Sequence, residues 1–254
     1  MSITTPDAFG LIVIGDEILF GKRQDRHMQH FRGFLGDRGL RLGRCWLLPD
    51  DPKVLVEHLR FSLQGDLPVF VCGGIGATPD DLTRGCAAEA AGVPLVRHVQ
   101  AAQLIETRFG DSAYPTRIRM ADLPQGCTLI PNPHNQIPGF SVAEHHFLPG
   151  FPELVWPMAE WVMQTYYLDA SAGIEEAFVE VLNTPESQLV SLMEQLGGQF
   201  PGLKLYSLPQ LQTGAGSKIE LGFRGRGAAE EALEVLIQRL NELGIPYRKP
   251  LAGG

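Results

Sequence analysis

Hydrophobic positions follow two different spacings in the first two thirds of the chain. Runs of consecutive apolar residues are typical of strands buried on both faces of a parallel sheet. They predict strands over residues 8–14, 40–48, 69–72, 127–130 and 145–148. Apolar residues that recur every three or four positions predict helices over residues 27–39, 49–63, 80–91, 100–109 and 153–167. This alternation predicts an α/β fold with a doubly wound, mostly parallel sheet.

The pattern changes near residue 170, where residues 168–173 have the small and polar composition of a linker. The segments that follow predict strands over residues 177–182, 203–208, 218–223 and 245–248, and helices over residues 184–196 and 228–243. The order β-α-β-β-α-β is that of a split βαβ, or ferredoxin-like, α+β domain. We therefore predict two domains, residues 1–170 and a smaller one over residues 171–254.

The charge of the chain narrows how a ligand could be held. With 254 residues and a net charge of −8, the chain has no overall attraction for nucleic acid or for an anionic membrane. A phosphate would have to be held by local backbone, by a metal ion or by a few arginines. No apolar run reaches the ~18 residues of a membrane span, and the N-terminus lacks the pattern of a signal peptide. We expect a cytoplasmic protein with no nucleic-acid or membrane partner.

The cysteines show neither metal-binding nor catalytic spacing. None of Cys45, Cys72, Cys86 and Cys127 belongs to a CxxC pair. They lie in apolar segments, so we expect reduced thiols in the core. The chain also lacks the GxSxG motif of serine hydrolases and the GxxxxGK[ST] motif of P-loop proteins.

The strongest functional signal is the sequence VFVCGGIGATPDD at residues 69–81. A buried strand is followed by glycines, which let backbone amides approach an anion without a Cβ in the way. Proline and two carboxylates then predict the start of a helix. Strand, glycine turn and helix N-terminus together form an anion site. The alternative is a tight turn that Asp80 and Thr83 cap for structural reasons alone.

Acidic side chains follow the first predicted strand as well. Asp16 and Glu17 come directly after it, and Asp80 and Asp81 follow the glycines. Because parallel strands end at one edge of a sheet, we expect these four carboxylates to meet in one cleft. Their repulsion favours a bound cation, and oxygen ligands without cysteine favour Mg²⁺ or Mn²⁺. The alternative is that Asp16 and Glu17 only cap a loop.

Three further polar residues are candidates with equally simple alternatives. His134 lies in a proline-rich loop, where it could contact a ligand or act as an acid or base, or be exposed to water without a role. Arg23 and Arg26 could contact phosphate or belong to the solvated surface.

Four ordered motifs resemble those of the molybdopterin-binding domain family, and within it those of the amino-terminal region of CinA (competence/damage-inducible) proteins. Residues 15–21 read GDEILFG, like the family's GDE[IL]LxG, and residues 73–83 read GGIGATPDDLT, like GGxGxTxDD[IL]T. Asn132 and the PGF at residues 138–140 are similar to the family's asparagine and APGF. Residues 148–153 read LPGFPE, like LPGxPxE.

The resemblance covers residues 8–167 and implies the α/β fold of MogA, MoaB and the gephyrin G domain. In those proteins the glycine turn binds the phosphate region of the pterin, and the acid that follows assists Mg²⁺-dependent adenylyl transfer. The residues that the resemblance assigns to ligand or phosphate binding are Asp16, Glu17, Gly73, Gly74, Gly76, Thr78, Thr83, Asn132 and Gly139. It assigns catalysis to Asp80 and Asp81, and Mg²⁺ or Mn²⁺ binding to these two and Asp16.

In CinA-like proteins the same cleft is associated with a metal-dependent pyrophosphatase that acts on ADP-ribose-type nucleotides. We therefore predict this activity, with a non-catalytic or biosynthetic molybdopterin-binding protein as the alternative. A third hypothesis is an interaction protein that docks through its ferredoxin-like half. The family also implies a homo-oligomer, either a dimer or a trimer.

The chain departs from the family where substrate selectivity would be set. Asp25-Arg26-His27 replaces the usual Asp-Thr-Asn run, and Asn135-Gln136-Ile137 replaces the Gly-Thr before APGF. A chain of 254 residues has no room for the nicotinamide-nucleotide amidase domain of full-length CinA, so we do not expect that activity.

Overall fold

In a computed structural model, the chain is described at residues 6–170, 174–210 and 217–250, and it divides after Ala170 into two units. The strands of the first unit are β1 (Ala8–Ile14), β2 (Arg41–Leu48), β3 (Val69–Cys72), β4 (Leu95–Arg97), β5 (Asp122–Pro124), β6 (Thr128–Ile130), β7 (Gly139–Val142) and β8 (His145–Leu148). Its helices are α1 (Asp16–Leu19), α2 (His27–Gly36), α3 (Pro52–Leu63), α4 (Thr83–Ala91), α5 (Val99–Phe109) and α6 (Pro152–Tyr166). Two 3₁₀ turns, Gly110–Ala113 and Arg117–Ala121, connect α5 to β5.

Six strands form the central sheet, in the order β2-β1-β3-β8-β7-β6. β1 pairs in parallel with β2 and β3, and β3 pairs in parallel with β8. β7 is antiparallel to both of its neighbours. The prediction of a mostly parallel α/β sheet is therefore confirmed. Its consequence for function is that β2, β1, β3 and β8 end at one edge, which we call the carboxyl edge.

Burial on both faces of the sheet explains the apolar runs of β1, β3 and β8, whereas β2, at the edge of the sheet, is exposed or half-buried at all but its last residue. Every residue of β1, β3 and β8 is buried. Helix α4 brings small residues such as Cys86, Ala87 and Ala88 into the same core. The cysteines are free thiols, and burial raises the pKa of both Cys86 and Cys127 to about 11. These thiols are therefore protonated and unreactive at neutral pH.

Several elements differ from the sequence prediction. The short elements α1, β4 and β5 are not among the predicted ones, and α2 ends earlier and α3 begins later than predicted. Two further differences lie at the predicted site. Helix α4 begins at Thr83 and not at Asp80, because the residues before it form a separate turn. Residues 139 and 140, which the sequence assigns to a loop, begin β7. A four-residue strand between a proline-rich loop and a tight turn carries too short a pattern to be recognised as a strand.

The second unit has the elements β9 (Ile174–Leu182), α7 (Val190–Leu196), β10 (Leu203–Gln210), β11 (Lys218–Arg226), α8 (Ala229–Glu242) and β12 (Tyr247–Arg248). Its antiparallel sheet has the order β10-β11-β9-β12, which is the arrangement of a ferredoxin-like split βαβ. The predicted helix over residues 184–196 is shorter: a 3₁₀ turn at Glu186–Gln188 precedes α7. Residues 171–173 of the predicted linker lie outside the described residues.

Candidate functional site

Backbone contacts join the strand ends at the carboxyl edge. The amide of Gly15 donates to the carbonyl of Leu48 at 3.1 Å, and the amide of Gly73 donates to that of Leu148 at 3.0 Å. A Cβ on Gly73 would lie 2.4 Å from the carbonyl oxygen of Ile14. The segments that follow β1, β2, β3 and β8 therefore begin side by side, as the parallel topology predicts.

The loop after β3 presents a row of backbone amides. In the described part of the chain, no group accepts a hydrogen bond from the amides of Gly74, Ile75, Gly76 or Ala77, which we call the loop amides. Gly74 has a φ of 67°, in the left-handed region that favours glycine. Successive amides in such a turn form a concave site for an anion. The loop amides are therefore suited to bind phosphate.

The glycines of this loop are also required by close packing. A Cβ on Gly74 would lie 2.2 Å from Thr83 Oγ1, and one on Gly76 would lie 2.5 Å from Asp81 Oδ2. Thr83 donates from Oγ1 to the carbonyl of Gly73 at 2.9 Å and from its amide to that of Gly74 at 3.0 Å. The first amide of α4 is thus bound within the protein. Among the described residues, the loop amides next to it remain without an acceptor.

The turn before α4 is closed by Asp81. Its Oδ2 accepts hydrogen bonds from the amide and the hydroxyl of Thr78, at 2.8 and 2.5 Å. Asp80 is exposed beside it. Hydrogen bonding from Thr78 and from its own backbone lowers the pKa of the Asp80 carboxyl, which favours the charged form. Of the two adjacent acids, Asp81 shapes the turn and Asp80 is left open to a ligand.

The end of β2 adds a carboxylate that none of the motifs singles out. Asp50 Oδ2 accepts a hydrogen bond from the amide of Asp16 at 3.0 Å. Partial burial raises the pKa of Asp50, and the negative charges of Asp16, Glu17 and Asp80 raise it further, against the effect of that hydrogen bond. The charges of Asp16, Glu17 and Asp80 therefore act on Asp50, and we call these four residues the acidic group. The sequence signal for Asp50 is its position two residues after the end of β2.

The acidic group does not form a complete metal site by itself. Among residues 6–170, 174–210 and 217–250, no three His, Cys, Asp or Glu side chains are placed so that they could hold a metal ion together. Asp16, Asp80 and Asp81, the predicted metal ligands, are therefore not a preassembled set. Burial is the largest cause that raises the pKa of Asp50, and the nearby negative charges that raise it further would be balanced by a cation.

The loop after α1 lies against the start of α6. Arg23 donates from its amide to the carbonyl of Glu17 at 2.9 Å, and its Nη1 lies 3.7 Å from Glu17 Oε1. Arg26 Nη1 lies 3.5 Å from Glu153 Oε1. Both arginines are more than half exposed, so neither is committed to a buried ion pair.

Asn132 and Gly139 maintain the shape of the proline-rich loop at the carboxyl edge. Asn132 is buried, and its Oδ1 accepts hydrogen bonds from the amides of His134 and Asn135 at 3.0 and 3.4 Å. A Cβ on Gly139 would lie 2.4 Å from the carbonyl oxygen of Phe147. The His134 side chain is exposed. Contact of Asn132 or Gly139 with a ligand stays a prediction.

A buried arginine binds the backbone of the glycine loop through its guanidinium group. Arg84 donates from Nη2 to the carbonyl of Gly76 at 2.8 Å, and from Nη1 to that of Asp122 at 3.1 Å and that of Arg119. Burial is the main cause that lowers the pKa of its guanidinium. A charged residue in the first turn of an alanine-rich helix has the sequence signature of a surface position, so its burial could not be read from the sequence.

Replacing Arg84 by Met should lower the free energy of unfolding by about 2 kcal/mol, because buried carbonyl oxygens lose their donor. The measurement is urea denaturation at pH 7. The matched control is Arg60→Met, since Arg60 is 53 % exposed and 3.9 Å from Glu89. That variant should lose less than about 0.5 kcal/mol. Equal losses in the two variants would contradict the structural role of Arg84.

Several known proteins are similar in sequence to this chain. The family model described as "Probable molybdopterin binding domain" matches residues 10–168. A CinA-like protein of Geobacter sp. (strain M21) is 34% identical over 192 residues, which are 72% of this chain and 46% of that protein. A CinA-like protein of Myxococcus xanthus (strain DK1622) is 30% identical over 204 residues, 75% and 48% of the two chains. The chain thus spans about half the length of these curated relatives.

A solved structure agrees with the fold. The crystal structure of the protein CinA, with unknown function, from Thermoplasma acidophilum superposes with a TM-score of 0.59 at 26% identity. It covers 63% of this chain and 98% of its own. Within the described ranges, no helix has the length and apolar character needed to cross a membrane. The matched residues 10–168 include the carboxyl edge, the loop amides and the acidic group. The chain therefore belongs to the molybdopterin-binding domain family and is similar to CinA-like proteins.

Proposed function

We propose that the carboxyl edge binds the phosphates of a nucleotide and hydrolyses the diphosphate bond of ADP-ribose-type substrates with Mg²⁺ or Mn²⁺. The observation that carries the proposal is the row of loop amides without acceptors among the described residues, at the same edge as Asp50 and the three carboxylates whose charges act on it. The amides would donate hydrogen bonds to the negatively charged oxygens of the ligand. The carboxylates of the acidic group would bind a cation that also contacts the phosphate.

The residues present fit such a cation in donor type and charge. The acidic group offers only carboxylate oxygens, which Mg²⁺ and Mn²⁺ accept as ligands. Because it does not form a complete set, the remaining oxygens would come from phosphate and water, as is usual for Mg²⁺. Bound there, the ion would supply Lewis-acid activation of the phosphate and of the attacking water.

The protein's own part in hydrolysis is binding, charge stabilisation and proton transfer. The loop amides hold phosphate oxygens and stabilise the negative charge that develops as the bond to the leaving phosphate breaks. Water attacks one phosphorus, a new P–O bond forms, and the bridging P–O bond breaks to give AMP and ribose 5-phosphate. Asp50, with its raised pKa, is suited to accept the proton of the water.

A second candidate function is the binding of molybdopterin without turnover. The description of the family supports it, since the domain is named for this ligand. The loop amides would then hold the single phosphate of the pterin. The acidic group would have no diphosphate bond to act on, and its substitution would leave binding intact.

The test is release of AMP by the purified chain from ADP-ribose and FAD, with Mg²⁺ and with Mn²⁺. Asp80→Asn should lower kcat/KM at least tenfold, because it removes one charge from the acidic group. Asp66→Asn is the matched control, since Asp66 is exposed in the loop between α3 and β3, and it should have no effect.

If no AMP is released with Mg²⁺ or with Mn²⁺, the proposed pyrophosphatase activity is overturned. Tight molybdopterin binding that survives Asp80→Asn would then favour the binding protein. A ligand that binds the folded chain also raises its Tm, so a thermal-shift series with both ligand classes accompanies the assay.

A further inference from the structure

One aromatic side chain is exposed next to the glycine loop. Phe151 follows β8 and is 57% exposed to solvent. The residue before it, Gly150, lies against the loop, since a Cβ on Gly150 would be 3.4 Å from the Cα of Gly73. Phe151 therefore comes directly after the residue that packs against Gly73, where the loop with the free amides begins.

Neither the core nor the helix explains a phenylalanine at this position. Phe151 is the N-cap of α6, where Ser, Thr, Asp and Asn are preferred because their oxygen accepts from a helix amide. It makes no side-chain cap hydrogen bond. Because Phe151 is mostly exposed, burial of its ring contributes little to the free energy of folding. Residue types that break a local rule without structural compensation are expected at functional sites.

A cation lies loosely over one face of this ring. Arg23 Cζ is 5.6 Å from the centroid of Phe151. The Arg23 side chain is 54% exposed, and its ion pair with Glu17 is long at 3.7 Å. An exposed pair of this kind contributes little to stability, so the guanidinium is free to move outward. Arginine planes and aromatic rings both stack on flat heterocycles.

We propose that the heteroaromatic ring of the ligand stacks on Phe151, beneath Arg23, while its phosphate groups bind the loop amides. This inference rests on the proposed function and adds to it the residues that bind the planar ring of the ligand. The site selects phosphorylated ligands that carry a planar ring, such as an adenine nucleotide or a pterin, over phosphates without a ring. Phe151 and Arg23 are the residues that set this specificity.

The experiment compares two ligands on three variants of the full chain by calorimetric titration, with Ca²⁺ in place of Mg²⁺ and AMP release monitored so that binding is measured without turnover. ADP-ribose carries the ring and inorganic pyrophosphate does not. Phe151→Ala should weaken ADP-ribose binding about tenfold and leave pyrophosphate binding unchanged, whereas Phe151→Tyr, which keeps a ring, should bind both like the unmodified chain. Phe61→Ala is the matched control, because Phe61 is 59% exposed in the last turn of α3, and it should change neither.

The outcomes separate the two proposals. If Phe151→Ala binds ADP-ribose as the unmodified chain does, or loses both ligands equally, the stacking role is overturned while phosphate binding stands. If the unmodified chain binds neither ligand, the proposed function fails first. Because the ring is exposed, Phe151→Ala should keep the circular dichroism spectrum and Tm of the folded protein, so a loss of affinity reports the contact.

Discussion

Gly74→Ala should lower the free energy of unfolding by about 3 kcal/mol, the combined cost of a left-handed alanine and an overlap in a packed site. Its Cβ would lie 2.2 Å from Thr83 Oγ1, closer than the 3.0 Å below which an atom must shift. Thr83 is fully buried, and its hydroxyl is held by the carbonyl of Gly73 at 2.9 Å. The hydroxyl cannot turn away without leaving that carbonyl unpaired.

Gly85→Ala is the matched control for this substitution. Gly85 lies in α4, and a Cβ there would meet nothing within 4 Å. Alanine in a helix interior is favoured over glycine by about 1 kcal/mol, so this variant should be more stable than the unmodified chain. Urea denaturation of both variants gives the comparison. A Gly74→Ala variant as stable as Gly85→Ala would show that the loop is not packed as described.

Acidification from pH 7 to pH 5 should cost about 4 kcal/mol of stability through two buried histidines of β8. His145 and His146 are each 2% exposed. Burial lowers the pKa of His145 from 6.5 to about 4. Burial, and then the charge of His145, lower that of His146 to about 3. Each ring stays neutral in the folded chain over a range where it would be charged in the unfolded chain.

The direction of the effect follows from that difference in pKa. Above pH 6.5 both states leave the rings neutral, and the stability is complete. As the pH falls from 6.5 toward 4, the unfolded chain binds protons that the folded chain does not, and each ring costs about 1.4 kcal/mol per pH unit. Because a domain has a total free energy of unfolding of about 5–15 kcal/mol, this loss is a large fraction of its stability.

The side-chain hydrogen-bond partners of the two rings are hydroxyl groups, which carry no charge. His145 Nδ1 lies 3.1 Å from the carbonyl of Ala143 and therefore donates, and its Nε2 lies 2.8 Å from Ser62 Oγ. His146 lies 2.8 Å from Ser141 Oγ and from Tyr167 Oη. Hydroxyl groups can donate to a neutral nitrogen but offer no charge to balance an imidazolium.

Urea denaturation at pH 7, 6 and 5 measures this dependence. His146→Gln should be less stable at pH 7 but should show a pH slope that is smaller by about 1 kcal/mol per unit, averaged between pH 7 and pH 5. His134→Gln is the control, because His134 is exposed and should not alter the slope. An unchanged slope in His146→Gln would rule out this ring as a source of acid sensitivity.

The sequence predicts the sheet well because burial on both faces leaves an unambiguous pattern. The strands at residues 8–14 and 69–72 agree residue for residue with β1 and β3. β7 could not be recognised, since its four residues have mixed burial and follow a proline-rich loop. Helix α4 begins later than predicted, because Asp81 bonds to Thr78 instead of capping the helix.

The candidate site is predictable in position but not in detail. Parallel strand ends must share an edge, so Asp16 and Asp80 could be placed together from the sequence. Which acid shapes a turn and which is open depends on side-chain geometry, and so does the burial of Arg84. The metal ion, the substrate and the homo-oligomer stay predictions.

The free donors at this edge belong to the main chain, and this has a consequence for mutagenesis. Ile75 is the one residue of the segment 74–77 whose side chain alanine would truncate, and that substitution leaves every N–H in place. Only changes that reshape the backbone, or that replace an amide by an ester through chemical synthesis, can measure it.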